Sequence, residues 1–210
     1  MAPAELVRSL SAAAVAVEAA AAELNRLDGY AGDGDLGITM TAAAQALQDV
    51  LATAEEMSTA QLLAACGSTI ARKAPSTSGT LVATGFLRAA KAVEESTGPG
   101  AVAVERCFNA AYEGIKARGK ASVGDRTLVD GLDAVCASLR RSVASGTEVG
   151  QMLEEAAEAA ATAADATVDM VPTMGRASWV PDRAVGHPDA GCALLAIVVG
   201  AVAASIAAGP

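Results

Sequence analysis

Eight stretches with helical periodicity, joined by short connections, constrain the fold of this chain more than any other feature of its sequence. In each stretch apolar residues recur every three or four positions, and no run alternates Val, Ile and Thr as a strand would. Alanine is abundant and aromatic residues make up only 2% of the chain, which favours closely packed helices. The predicted helices cover residues 4–27, 38–51, 58–73, 81–95, 101–118, 128–145, 148–168 and 190–210, with a Gly/Pro turn at 96–100.

These helices predict an all-α fold with a single domain over residues 1–210. A chain of 210 residues can bury one sizeable core, and the sequence contains no internal repeat and no long linker. Short connections make consecutive helices antiparallel neighbours, which gives an up-and-down bundle. The loops after the first, third, fifth and seventh helices must then meet at one end of the bundle.

That end gathers most of the loop residues that could carry chemistry. Its four loops contain three aspartates, hydroxyl-bearing turns and many glycines. The basic residues in or beside these loops are Arg26, Arg72, Lys73, Arg118, Lys120, Arg126, Arg176 and Arg183. Carboxylates, hydroxyls and cations together are what a site for a metal ion and a polyphosphate requires. Each loop taken alone could equally be a solvated turn.

The loop after the first helix, residues 28–37, is the most specific of the four. This acidic segment places Asp28, Asp33 and Asp35 among four glycines. Carboxylates this close repel one another unless a cation neutralises them, and the following helix offers free N–H groups to an anion. We interpret the segment as a site for a hard cation that itself holds a phosphate. An Asp/Gly-rich turn that only caps the helix is the alternative, whereas an EF-hand is excluded because no Glu occupies its twelfth position.

Charge and hydropathy limit the classes of partner. A net charge of −9 disfavours nucleic acid and anionic membranes as partners. The uncharged stretch 191–210 is long enough to span a membrane, but its small residues favour a helix buried on all sides in the bundle. Charges in the first helix argue against a signal peptide, and the four scattered cysteines are typical of reduced thiols. We therefore expect a cytoplasmic protein that binds neither nucleic acid nor a membrane.

Four motifs give the chain a resemblance to a known family. They are Gly32-Asp33-Gly34-Asp35-x-Gly37, Thr77-Ser78-Gly79, Gly119-Lys120-Ala121 with Gly124-Asp125-x-Thr127, and Gly175-x-Ala177-Ser178 with Gly186-His187-x-Asp189-x-Gly191. In this order they resemble the nucleotide-binding L subunit, or domain, of dihydroxyacetone kinases. The resemblance implies a closed barrel of eight antiparallel helices with the nucleotide, ADP or ATP, at one end.

Carried over by position, the resemblance also implies roles for individual residues. Asp28, Asp33 and Asp35 correspond to ligands of two Mg²⁺ ions that bridge the nucleotide phosphates. Arg176 corresponds to a residue that closes the nucleotide pocket, and its charge would act catalytically by stabilising the phosphoryl group during transfer. The nucleotide-contacting positions implied in all are Leu36, Gly37, Ile38, Thr39, Thr77, Ser78, Gly119, Leu128, Arg176, Asp189, Ala190 and Gly191.

The sequence departs from the family pattern at two of these positions. Leu36 stands where the family usually has His directly after the acidic motif, so a polar contact on the phosphate side is missing. Ala190 stands where the family often has Pro, which is a milder change. The first departure concerns the detailed nucleotide chemistry or the substrate preference rather than the metal site.

The resemblance implies a division of labour between subunits. A separate K subunit holds the ketose, while the L subunit holds ADP that a phosphotransferase-system protein rephosphorylates. A stand-alone L subunit that uses free ATP on another ketose such as a tetrulose, a non-catalytic nucleotide-binding regulator, and a homodimer all stay open. A phosphohistidine relay through His187 is the remaining rival, although an ordering hydrogen bond in the loop is the favoured role for this residue.

Overall fold

The computed structural model describes residues 3–95 and 100–209, and within them the chain forms helices and loops with no strand. The α-helices in these two ranges are α1 (Pro3–Ala19), α2 (Ala21–Ala31), α3 (Leu36–Leu51), α4 (Thr59–Lys73), α5 (Thr77–Glu94), α6 (Gly100–Gly119), α7 (Leu128–Ser145), α8 (Val149–Ala166), α9 (Pro181–Ala184) and α10 (Ala190–Ala207). Two 3₁₀ helices, Thr167–Asp169 and Arg176–Trp179, lie between α8 and α9. The turn predicted at 96–100 falls mostly outside the described residues.

Eight of the helices form a closed ring. Around the ring each helix packs against the next, in the order α1, α3, α4, α5, α6, α7 and α8. Helix α10 packs against both α8 and α1 and closes the ring. At the seam the Oγ atoms of Ser9 on α1 and Ser205 on α10 are hydrogen-bonded at 2.8 Å. The prediction of an all-α, closed eight-helix barrel is therefore confirmed, while α2 packs on α3 and α10 as an addition to the ring.

The core of the barrel consists of two large apolar clusters on opposite sides of a central cavity. One cluster, around Leu139 and Met152, joins α6, α7, α8 and α10. The other, around Leu24 and Leu62, joins α1 to α4 and also α10. The cavity between them measures about 390 Å³ and is lined almost entirely by apolar side chains. Small residues such as alanine allow the helices to approach closely around it.

The ends of the helices follow local sequence signals. Ser58 and Gln61 form the predicted capping box at the start of α4. Asp189 caps α10 as predicted, accepting a hydrogen bond from the main-chain N–H of Cys192 at 2.8 Å. α5 begins at Thr77, about one turn earlier than predicted, because Ser76 accepts a hydrogen bond from Gly79 N at 3.0 Å and starts the helix there.

The prediction of one unbroken helix over residues 4–27 is wrong. It is interrupted at Ala20, and the second part continues to Ala31, so Asp28 lies in the last turn of α2 rather than in a loop. Neither glycine nor proline marks the break. A β-carbon at Gly37 would lie 1.9 Å from the carbonyl oxygen of Ala21, so α3 begins directly against the backbone of α2. The interruption thus lies one residue before a close tertiary contact.

Helix α10 is the apolar C-terminal helix singled out in the sequence. It is long and apolar enough to cross a membrane, with a mean hydropathy of 2.4, which by itself is weak evidence because a core helix passes the same test. The prediction that it is buried on all sides is wrong, since 39% of its residues are buried. As one wall of the barrel, α10 turns only part of its circumference toward neighbouring helices.

Candidate metal and nucleotide site

The three aspartates of the acidic segment converge at the end of α2. One carboxylate oxygen from each of Asp28, Asp33 and Asp35 lies within 4.8 Å of the others. Asp28 Oδ2 accepts hydrogen bonds from the main-chain N–H groups of Gly34 at 2.9 Å and Asp35 at 3.1 Å. Gly34 has a φ of +74°, a conformation that glycine adopts without strain. The carboxylate of Asp28 thus holds the turn that brings the other two aspartates to it.

Gly32 leaves room for the Asp28 carboxylate. A β-carbon at this position would lie 2.3 Å from Asp28 Oδ1, so any other residue would force that carboxylate aside. Three converging carboxylates form a set of hard oxygen donors, which fits Mg²⁺. Asp33 and Asp35 are exposed, so their oxygens can also reach a ligand that brings its own phosphate groups.

The N-terminus of α3 has a partner that the sequence interpretation missed. Asn25 Oδ1 accepts hydrogen bonds from Gly37 N at 2.7 Å and from Ile38 N at 3.2 Å. Two N–H groups of the predicted phosphate-binding turn are therefore engaged by a side chain. Asn25 lies within α2, twelve positions before Gly37, and no local capping pattern reveals it.

Leu36 is buried in the apolar core beside α2, with an exposed fraction of 6%. Its side chain is directed away from the acidic segment's carboxylates toward the barrel interior, so only its main chain can meet a ligand. Leu36, which stands where the resemblance implies a His, therefore adds to the core and offers this turn no polar side chain. By contrast Ile38 is 66% exposed, and Thr39 is half-buried.

The second and third predicted loops lie at the same end of the barrel. Thr77 and Ser78 occupy the first turn of α5. Gly119 ends α6 beside α5, since a β-carbon there would lie 3.6 Å from Leu81 Cδ2. At the start of α7 the side chain of Leu128 meets Gly191, where a β-carbon would lie 3.2 Å from Leu128 Cβ.

Residues 167–189, here called the closing segment, cover the acidic segment. Arg176 Nη1 forms an ion pair with Asp33 Oδ2. Arg183 Nη2 donates a hydrogen bond to the carbonyl oxygen of Gly29 at 3.1 Å. The rings of His187 and Tyr30 are stacked, with centroids 3.4 Å apart and an interplanar angle of 6°. His187 therefore orders the loop through ring stacking rather than through the side-chain hydrogen bond expected from the sequence.

The closing segment is also held from the side of α7. Thr173 Oγ1 donates a hydrogen bond to Asp125 Oδ1, and this bond is the main reason that the pKa of Asp125 is lowered. Arg126 is only 4% exposed and donates to the carbonyl oxygens of Thr167, Ala184 and His187. The prediction that Arg126 offers its charge at the polyphosphate end is wrong, because its guanidinium is buried and occupied by these carbonyls.

Asp189 occupies the end of the closing segment and has an unusual environment. Its main-chain N–H donates to Thr167 Oγ1 at 2.8 Å while its carboxylate caps α10. Burial raises the pKa of Asp189 to about 6, although the bond from Cys192 N and the nearby charge of Arg126 act in the opposite direction. Asp189 as a whole is half-buried, and its carboxylate is directed to the helix that it caps.

Comparisons with known proteins agree with this arrangement. Residues 30–204 match the DAK2 domain family. The chain is 34% identical over 200 residues to the D-erythrulose kinase of Mycolicibacterium smegmatis, covering 94% of this chain and 34% of that protein. It is 32% identical over 168 residues to the ADP-binding subunit DhaL of the PEP-dependent dihydroxyacetone kinase of Escherichia coli, covering 80% of each.

A solved structure gives the same result for the fold. The dihydroxyacetone kinase from C. freundii, in complex with AMP-PNP and Mg²⁺, matches with a TM-score of 0.76 and 27% identity, covering 95% of this chain and 34% of that one. The chain thus spans about a third of the length of the erythrulose kinase and of the C. freundii enzyme. It belongs to the DAK2 domain family. Within that family it is of the DhaL type.

Proposed function

We propose that this chain is the nucleotide-binding phosphoryl-transfer subunit of a dihydroxyacetone kinase and passes phosphate to a ketose held on a separate K subunit. The observation that carries the proposal is the convergence of Asp28, Asp33 and Asp35 within 4.8 Å beneath a segment that brings Arg176 to them. A cluster of three carboxylates next to an arginine suits a nucleotide whose phosphates are bound through metal ions.

In this proposal the three aspartates hold two Mg²⁺ ions, which when bound offset the negative charge of the ADP or ATP phosphates. Phosphoryl transfer depends on positioning and charge stabilisation, so the chain needs no nucleophile of its own. The first turns of α3 and α5, with Thr39, Thr77 and Ser78, line the remaining side of the phosphate site.

Arg176 has two successive roles in this proposal. Before nucleotide binds, its guanidinium neutralises Asp33, with which it is paired. Once the phosphates are in place it leaves that carboxylate and stabilises the charge on the group in transfer. Both partners of the pair are about half exposed, so the exchange needs no opening of the core.

The printed name of one relative supports a separate ketose-binding partner. The match corresponds to 34% of the M. smegmatis kinase. The E. coli relative of similar length is by name the ADP-binding subunit of a PEP-dependent kinase. We therefore propose that ADP stays bound and that a phosphotransferase-system protein rephosphorylates it. The four cysteines are unpaired, in keeping with a cytoplasmic location.

A second candidate function rests on the identity of 34% to an erythrulose kinase. In this alternative the chain uses free ATP and the ketose is a tetrulose. The two candidates share the metal and nucleotide site and differ in the donor and in the ketose.

Native mass spectrometry of the purified chain tests the proposal directly. We expect a fraction that carries ADP with Mg²⁺ and loses both on treatment with a chelator. The chain alone should not phosphorylate dihydroxyacetone or a tetrulose, and activity should appear when a K subunit is added with either ATP or a phosphotransferase donor. Ketose phosphorylation by the isolated chain at a rate that no partner changes would refute the division of labour. Nucleotide binding without activity under any donor would indicate a regulator.

An Arg176→Ala variant tests the catalytic role. We expect turnover to fall by about 100-fold, while affinity for Mg·ADP changes by less than about tenfold. Arg183→Ala is the matched control, because Arg183 also fixes the closing segment but contacts only a carbonyl oxygen. Equal losses of turnover in the two variants would assign Arg176 to docking of the segment rather than to charge stabilisation.

A further inference from the structure

Arg126 is a charged residue in the interior of the described part of the protein, with an exposed fraction of 4%. Its φ is 59°, in the left-handed region that non-glycine residues rarely adopt. A buried charge and an unfavourable backbone conformation at one residue both cost stability, so surrounding contacts must offset them. Those contacts all lead to the closing segment.

The guanidinium of Arg126 joins three points of the chain that are far apart in sequence. Nε donates to Thr167 O at 2.9 Å, and Nη2 donates to Ala184 O and to His187 O, each at 2.7 Å. These carbonyls lie after α8, at the end of α9 and just before the cap of α10. A planar guanidinium presents several donors in a fixed fork, which a lysine ammonium cannot reproduce.

The residues on either side of Arg126 add contacts to the closing segment and to the helix that follows it. Asp125 accepts the hydroxyl of Thr173, and the carbonyl oxygen of Thr127 lies 3.1 Å from Cys192 Sγ. Arg126 itself has the left-handed backbone, and its two neighbours contact Thr173 within the segment and Cys192 in the first turn of α10. Residues 125–127 therefore form one continuous set of contacts that holds the closing segment beside the start of α7.

We propose that Arg126 is a positioning residue of the nucleotide site. By fixing the carbonyls of Thr167, Ala184 and His187, it sets where Arg176 and Asp189 stand relative to the acidic segment. Its guanidinium touches none of the three metal-site carboxylates, so it acts through the segment alone. The effect on nucleotide binding rests on the function proposed above, whereas the effect on the segment does not.

The experiment compares Arg126→Lys with Arg141→Lys, a matched change at an exposed arginine on α7. Hydrogen exchange measured by mass spectrometry reports on the main chain of residues 184–189, and calorimetry measures the affinity for Mg·ADP. Trp179 is the only tryptophan of the chain and lies exposed in the closing segment, so its fluorescence anisotropy reports how freely the segment moves. Circular dichroism shows whether the barrel is intact.

For Arg126→Lys we expect faster exchange at residues 184–189, unchanged exchange in α4 and α5, a lower Trp179 anisotropy and an affinity lowered by about tenfold. Arg141→Lys should match the original protein throughout. Unchanged exchange and affinity in Arg126→Lys would overturn the proposal. So would faster exchange across the whole barrel or loss of helicity, because Arg126 would then support the fold in general. If the original protein fails to bind Mg·ADP, the proposed function fails, while the exchange and fluorescence results still decide the positioning role.

Discussion

The acidic segment and the closing segment face each other across one end of the barrel, but they are held in place differently. In the acidic segment the key hydrogen bonds, from Gly34 and Asp35 to Asp28, join residues six and seven positions apart. In the closing segment the bonds from Arg126 join residues 41 to 61 positions apart, and Arg183 reaches a residue 154 positions away. One segment is shaped locally and the other by the assembled barrel.

The site thus combines a locally shaped carboxylate cluster with a cover that distant residues hold in place. Local turns form wherever glycines and a capping carboxylate allow them, so the acidic segment depends little on the rest of the chain. The closing segment has few fully buried apolar residues and relies on polar contacts, which places it among the parts of a protein that open at low free-energy cost. The predictions below test this contrast.

The largest expected effect concerns the carboxylates of the acidic segment. Asp33→Asn or Asp35→Asn should abolish measurable Mg²⁺-dependent binding of ADP, because removing one of three charged ligands leaves the cation under-coordinated. Calorimetry with ADP and Mg²⁺ measures this, with Asp49→Asn near the far end of α3 as the control. The thermal midpoint without metal should change little, since weaker repulsion among the carboxylates offsets the loss of the half-exposed pair with Arg176 in Asp33→Asn. Unchanged affinity in both variants would remove the metal assignment.

Gly37→Ala probes the one place where the acidic segment depends on close tertiary packing. A β-carbon would lie 1.9 Å from the Ala21 carbonyl oxygen, so α2 and α3 must separate, and we expect the free energy of unfolding to fall by about 3 kcal/mol. Gly200→Ala on α10 is the control, because nothing lies within 4 Å of its added β-carbon. That change should stabilise the protein by about 0.5–1 kcal/mol. Denaturant unfolding measures the free energy of unfolding of both variants. Equal changes in the two would show that α2 and α3 can separate at little cost.

Asp189→Asn probes the closing segment through pH. The pKa of Asp189 rises from 3.8 to about 6 on folding because the carboxyl is buried. The folded protein therefore keeps this proton where the unfolded chain loses it, and this contribution to stability is lost as pH rises from about 4 to above 6. Asn also caps a helix and carries no charge, so the variant should be more stable than the original by about 2 kcal/mol above pH 7 and equal to it near pH 4.

Thermal unfolding across this pH range measures the effect, with the exposed Asp182→Asn as the control. The difference between Asp189→Asn and the original protein should grow with pH, whereas Asp182→Asn should show no such trend. A constant difference at all pH values would mean that Asp189 does not titrate between 4 and 7 and that the closing segment leaves it hydrated.

Much of the architecture followed from the sequence alone. Helical periodicity, capping residues such as Ser58 and Asp189, and glycine-rich interruptions are local signals, and they predicted an all-α bundle and most helix ends. That the bundle closes into a barrel was implied by the family resemblance. The clustering of the three aspartates in the acidic segment could also be predicted. Asp28, Asp33 and Asp35 lie within eight positions, and the turn between them is closed by hydrogen bonds among neighbouring residues. Residues close in sequence need little else to become close in space.

Only the tertiary structure decided the contacts that cross the chain. The break at Ala20, the cap that Asn25 places on α3, and the burial of Leu36 all arise where α2 meets α3, and no local pattern encodes that meeting. Arg126 is the clearest case. Its sequence neighbourhood predicts a surface cation near phosphates, whereas three distant carbonyls draw its guanidinium into the interior. A side chain's charge is fixed by its type, but which partners satisfy that charge depends on which parts of the chain the fold brings together.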